Sequence, residues 1–368
     1  MRFYTLAAVL LSCVLPGPAL RAETVAPHRF LYVATPGIRD YLQYGGHGVL
    51  VFDMDEGHRF VRRIVSAGIG KKGQPLNVKG ICGSVATQRL YVSTIETMEC
   101  FDLVSGKSLW EKRYEGGCDR MAITPDGKKL FTPSFEKDFW HVIDAENGKD
   151  LKRIPSPKHA HNTIVSLDGK EAYLADRGSP LLQVVDTSTN EVIRTVGPFG
   201  NVIRPFTVNG RHSIGYMNVD DLLGFEIADL NTGKVLHRVE VPGFKKGLVA
   251  RHGCPSHGVG LTPDEKEVWV ADAHNKQVHF YDNTVTPPKY LQSLTVRDEP
   301  GWVTFSLDGK FGYPSTGEVI EVASHKIITA LKDETGAEVH GEKMMEIDFN
   351  ASGKAVAVGD QFGLGRVR

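Results

Sequence analysis

The chain has 368 residues, 41% hydrophobic and 24% charged, a composition that excludes a disordered or low-complexity polymer. Its 43 Lys and Arg stand against 44 Asp and Glu, a formal net charge of −1. No global field therefore draws it to nucleic acid or to an anionic membrane.

The first 22 residues read as a secretory signal. Arg2 gives a short positive start, Leu6 to Leu15 is almost wholly apolar, and Gly17, Ala19 and Ala22 supply small residues for cleavage after Ala19 or Ala22. The run Leu10-Leu11-Ser12-Cys13 resembles a lipoprotein box, but the apolar segment before the cysteine is too short for one. No later stretch approaches the roughly 20 apolar residues of a membrane span. A periplasmic or secreted location is the expectation. Cys82, Cys100, Cys118 and Cys254 remain after cleavage, and in an oxidising compartment Cys82 with Cys118 is the pair expected to bridge. Neither C-x-x-C nor C-x-x-C-H occurs, so no covalent haem is expected.

From residue 29 onward a unit of about 42 residues repeats. A turn of the form x-D-G or a near variant recurs at Pro125-Asp126-Gly127, Leu167-Asp168-Gly169, Asn209-Gly210, Pro263-Asp264-Glu265, Leu307-Asp308-Gly309 and Ser352-Gly353. A short strand with an aromatic follows most copies, as at Leu130-Phe131, Tyr173-Leu174, Trp269-Val270 and Gly312-Tyr313. A third strand then ends in Asp at positions 53, 102, 144, 186, 229 and 282, where the carboxylate is expected to cap a turn. A fourth strand closes the unit. Asp-Gly supplies the left-handed backbone of a tight hairpin, and small four-stranded sheets bury both faces only by stacking radially.

This pattern predicts an all-β fold, a single seven-bladed β-propeller of four-stranded antiparallel blades. The first unit lacks an innermost strand, and Met344–Phe349 is expected to supply it and close the ring. The domains expected are a signal over 1–22, the propeller over 23–353, and a tail or extra strand over 354–368. An eight-bladed ring, which would recruit that tail, is the alternative.

The units around Ala122-Ile123-Thr124-Pro125-Asp126-Gly127 and Glu267-Val268-Trp269-Val270-Ala271-Asp272 resemble the bacterial YVTN-type propeller repeat. The resemblance covers nearly the whole mature chain and implies an exported seven-bladed propeller. It leaves function open, since such proteins include lactonases, a streptogramin lyase, subunits of amine-oxidising quinoproteins and binding proteins.

In a propeller, the loops entering the inner strands and those joining second to third strands share one face. Seven positions before each turn Asp lie Asp119, His161, His257 and Gly301, and the second strands end at Ser134, Asp176, Asp272 and Thr316. Blades four and six thus present a His with an Asp, His161 with Asp176 and His257 with Asp272. Asp119, His159, Asp176, Arg177, Arg204, Trp302 and Lys343 are the ligand-binding candidates, and His161, His257 and Asp272 are the candidates for acid–base work. Imidazole with carboxylate also suits one divalent metal, for which His161, His257 and His274 are the candidate ligands. An insertion over 35–48 carries Arg39, Asp40, Tyr41, Tyr44 and His47. Cys254 has no base spaced to activate it and reads as structural.

Three functions remain open at this point. One is binding of a small polar or anionic molecule, with or without a metal. A second is a metal-dependent lyase or lactonase using the same residues, and a third is an accessory subunit of an exported oxidoreductase. No haem, nucleotide or nucleic acid is expected, and a partner, if there is one, is another exported protein.

Overall fold

The computed structural model describes residue 1 and residues 26–37, 42–135 and 137–368. All but the first residue of the expected signal lie outside that range, as do Arg39, Asp40 and Tyr41.

Seven antiparallel sheets stand in a ring, and among the described residues there is no helix. Six sheets have four strands in chain order. The first is completed as expected, because Met344–Phe349 pairs with His28–Thr35, with Phe30 opposite Ile347 and Val33 opposite Met344. It also holds a fifth strand, Ala355–Val358, added along the inner edge of Met344–Phe349. The last residues therefore enlarge the first blade and build no eighth.

The repeat has a local cause at each turn. In blades three, four, six and seven a Thr or Ser hydroxyl binds the turn Asp two residues on, at 2.6–2.8 Å from Thr124 to Asp126, Ser166 to Asp168, Thr262 to Asp264 and Ser306 to Asp308. All six third-strand Asp residues accept backbone amides of the following turn, as at Ser105 onto Asp102 and Thr232 onto Asp229. The recurring aromatic joins blades: the Tyr91 hydroxyl donates to Ala145 O, and Tyr313 meets His58, each at 2.9 Å in the neighbouring blade. Inner strands are buried on both faces, as at Ala160–Val165, whereas outer strands such as Asp150–Pro155 alternate with solvent.

The expected Cys82–Cys118 bridge is not formed, and all four described cysteines are free. Cys118 lies eight positions before its turn and Cys82 only four before the matching point of blade two. That offset is about 13 Å along the strands, against the roughly 7 Å limit between the Cα atoms of a disulfide.

The closing strand carries two acids, Glu346 and Asp348. Glu346 Oε2 accepts Leu307 N at 2.6 Å, while Glu346 Oε1 and Asp348 Oδ1 are buried without a donor, which one shared proton resolves. Burial, then Asp348, pushes Glu346 up to about 8. Arg29, Asp55 and Asp308 also face the pair. An acid raised in the folded state destabilises it progressively as pH climbs from the ordinary Glu value to the raised one. Glu346→Gln is therefore expected to melt like the parent near pH 4 and above it by several degrees at pH 8.5. Melting curves at the two pH values check this.

Candidate functional site

The inner strands run away from one face of the ring, and their first residues surround the channel mouth there. Four of these strands carry a β-bulge at the same place. Register is skipped at Lys79 between Val78 and Gly80, at His161 between Ala160 and Asn162, at Arg204-Pro205 between Ile203 and Phe206, and at His257-Gly258 between Ser256 and Val259. A bulge leaves the extra residue out of the ladder and re-aims its side chain, so each of these blades delivers one long polar side chain to the mouth. In blade seven the matching residue is Gly301, where a Cβ would lie 2.0 Å from His252 Cε1, so the position is kept clear for that ring.

Together these side chains form one buried lattice that crosses blades. Asp119 takes Lys79 Nζ at 3.2 Å, Arg120 at 3.2 Å and His161 Nδ1 at 2.8 Å. Arg120 reaches Glu342 Oε2 at 2.9 Å, which also takes Lys343 Nζ at 2.6 Å. Glu342 Oε1 meets His252 Nδ1 at 3.3 Å. Arg120 and Lys343 each lie 4.8 Å from the ring centre of Trp302. Arg204 donates to His252 O at 2.9 Å, and the His252 and His257 rings stack with centroids 4.9 Å apart.

The charges are unequal. Four buried cations, Lys79, Arg120, Arg204 and Lys343, face two lattice carboxylates, Asp119 and Glu342. Asp220, partly exposed, lies 3.2 Å from Arg204 Nε, and Arg177 adds a further cation at the rim. Glu299 accepts the Ala250 and Arg251 amides, and Arg251 pairs with Asp298. Burial tends to raise Asp119 and Glu342, but the cations outweigh it and hold both well below the ordinary carboxylate range. Burial, then Arg120, brings Lys343 down to about 7. Arg120 Nε and both polar atoms of Asn162 are buried without a hydrogen-bond partner.

Burial also lowers the histidines, His161 to about 3 and His257 well below its usual value, so both are neutral near pH 7. His257 Nδ1 lies 3.0 Å from Gly301 O, and His161 Nδ1 faces the Asp119 carboxylate. Both partners only accept, so each Nδ1 carries the proton and each Nε2 presents a lone pair.

Of the expected site residues, the lattice gathers Asp119, His161, Arg204, His257, Trp302 and Lys343. The partner of His161 is Asp119 of the neighbouring blade, not Asp176 of its own. Asp176 Oδ1 accepts Gly178 N at 2.7 Å, and Asp272 binds Asn275 and, at 3.0 Å, His279 Nε2. Both second-strand carboxylates thus cap or brace their own blades. His159 has a left-handed backbone and an exposed ring, and His274 is exposed with Nδ1 at 3.0 Å from Leu248 O. Among the described residues, three metal-capable donors within 4.8 Å of one another occur at His28, Asp53 and Asp55, on the opposite face. His161, His257 and His274 form no such group. At His28 the carboxylates are already engaged, Asp53 by turn amides and Asp55 by Arg29 at 2.7 Å. Cys254 is buried, its thiol bound to Ser256 O at 3.0 Å and pushed up to about 11 by burial, which fits a structural thiol.

Lys79 and Arg120 were not legible as site residues. Lys79 sits seven before the matching turn position in blade two, but Val85-Ala86-Thr87 lacks the Asp-Gly that marks it. Arg120 adjoins Asp119, and only the fold shows that it spans the channel.

No protein-family model matches the chain, nor does any curated protein. Solved structures do. The β-propeller domain of Cps50 (Swd1) from Myceliophteria thermophila superposes with a TM-score of 0.59 at 12% identity, covering 82% of this chain and 95% of that one. Hydrazine synthase of Kuenenia stuttgartiensis gives a TM-score of 0.46 at 16% identity, covering 70% of this chain and 96% of that one. At 12% identity the first likeness is one of fold alone. No described helix is long and apolar enough to cross a membrane. By its strand order and by the first of these likenesses, the chain is a seven-bladed β-propeller.

Proposed function

We propose that the protein is an exported propeller that captures a small carboxylate anion at its channel mouth. The observation that carries this reading is the excess of buried cations over buried carboxylates in the lattice. Uncompensated buried charge costs several kcal/mol unless something pairs with it, and an anion would do so. The unpartnered Arg120 Nε and Asn162 amide are the donors such a ligand would fill. Guanidinium forks suit a carboxylate.

Calorimetric titration of the purified chain with malonate, and with uncharged malonamide, tests it. Malonate is expected to bind and malonamide to give no heat. The Arg177 side chain makes no hydrogen bond or ion pair among the described residues. Arg177→Gln should therefore weaken malonate by about tenfold, one charge-assisted contact, with the melting temperature unchanged. Equal binding of both compounds, or of neither, would contradict the reading. Export rests on the first 22 residues, and the mature chain should begin at Leu20 or Glu23 on N-terminal sequencing. The lyase or lactonase alternative draws on the lone pairs of His161 and His257 Nε2, and it requires turnover that a chelator abolishes.

A further inference from the structure

Two of the four lattice cations, Lys79 and Lys343, are amines, and Lys343 is the one that shares the Trp302 face with Arg120. The guanidinium groups of Arg120 and Arg204 never lose their charge, whereas Lys343 is an amine in the same buried setting. It sits immediately ahead of the closing strand, 3% exposed, above the Trp302 face and beside the Glu342 carboxylate. Glu342 in turn touches His252, so a carboxylate and an imidazole lie in line behind the amine at 2.6 and 3.3 Å. Permanent cations are what hold a carboxylate. An amine that can shed its proton next to them is what attacks a carbonyl. A ligand that uses both carries a carbonyl adjacent to its carboxylate.

We propose that Lys343 is a nucleophilic amine that condenses with the carbonyl of a 2-oxo carboxylate held at the channel mouth. The inference rests on the anion-site reading above and narrows it to a ligand class. In the step, the Nζ lone pair forms a bond to the carbonyl carbon while the carbonyl π bond opens onto oxygen. The two amine protons pass to that oxygen by way of Glu342, and it leaves as water. The product is an imine between Nζ and the former carbonyl carbon. Nothing is oxidised or reduced, and hydrolysis returns both partners. The lowered basicity of Lys343, brought to about 7 by burial and then by Arg120, gives a large neutral fraction at physiological pH.

The test incubates the full-length mature chain with pyruvate or glyoxylate and sodium cyanoborohydride, which supplies the hydride that fixes an imine as a secondary amine. Intact mass and peptide mapping read the result, with Lys343→Arg and calorimetry with malonate run alongside. One adduct per chain, mapped to Lys343 on a parent chain that binds malonate and absent from Lys343→Arg, is the expected outcome. Malonate binding without an adduct, or with adducts spread over exposed lysines such as Lys128, overturns the imine and leaves the anion site standing. Failure of both malonate binding and trapping overturns both. Mapping on the parent chain decides the matter even if Lys343→Arg does not fold.

Discussion

Ending the chain at Val358 is expected to lower the melting temperature by roughly 7 °C, a loss on the order of 5 kcal/mol, and to abolish malonate binding. Residues 359–368 cross the channel at the face away from the mouth and touch nearly every blade. The Gln361 side chain accepts Ile81 N at 3.1 Å and donates to Met121 O at 3.0 Å, in blades two and three. Gly363 O takes Thr207 Oγ1 at 2.6 Å and Leu261 N at 2.8 Å, in blades five and six. Trp302 Nε1 donates to Gln361 O, Thr304 Oγ1 to Asp360 O, and Gly359 N to Glu346 O, in blades seven and one. Phe362 and Leu364 are each 5% exposed and pack with Ile164 of blade four.

Losing two such side chains costs about 3 kcal/mol each by large-to-small precedent, and the chain entropy regained by the deleted residues offsets part of that. Glu265 stands where most repeats have the turn glycine, at φ 62°, and its Oε1 accepts both Gly210 N and Val367 N at 2.7 and 3.0 Å. A strained position is thus occupied by the side chain that ties down the tail. Truncation also frees Trp302, on which Arg120 and Lys343 rest. Calorimetric melting of both forms, with and without malonate, measures the two effects, and an unchanged melting temperature would remove the tail from the account.

Glu342→Gln is expected to destabilise the chain by about 3–5 kcal/mol at pH 7, because it leaves Arg120 and Lys343 buried without their common carboxylate. Two further consequences distinguish this from a packing defect. Malonate should raise the melting temperature of the variant more than that of the parent, since the anion replaces the missing charge. The deficit should also shrink as pH rises towards 7. A lysine depressed in the folded state destabilises it fully at pH values below the depressed one, and the penalty fades as pH rises towards the ordinary lysine value of about 10.5. Removing Glu342 lowers Lys343 further below its present value of about 7, so the lysine's share of the deficit relative to the parent should close as pH rises towards 7, leaving the share of Arg120. A deficit independent of pH and of malonate would mean that Glu342 matters only for shape.

The blades were legible because their signals are local. A Thr or Ser two residues before a turn Asp, an Asp ending the third strand and a tyrosine in the second each act within a few residues or on the next blade, and each recurs. Closure was legible for the same reason: the first unit visibly lacks a strand that the last one has. Partner choice at the mouth was not. His161 and Asp176 share a blade and a register, yet the bulge at His161 turns its ring to Asp119, 42 positions away in sequence. No periodicity encodes that crossing. The tail was opaque as well, because Gln361-Phe362-Gly363-Leu364-Gly365 has no strand alternation. Its glycines matter by closeness: a Cβ on Gly363 would come within 3.0 Å of Gly260 Cα.

The most direct measurement is a crystal structure of the mature chain grown with malonate. Density for the anion should lie at the channel mouth, bonded to at least two of Arg120, Arg204 and Lys343, with the neutral rings of His161 and His257 beside it. A mouth that holds only water, or a cation bound to Asp119 and Glu342, would contradict the claim that those buried positive charges await an anionic guest.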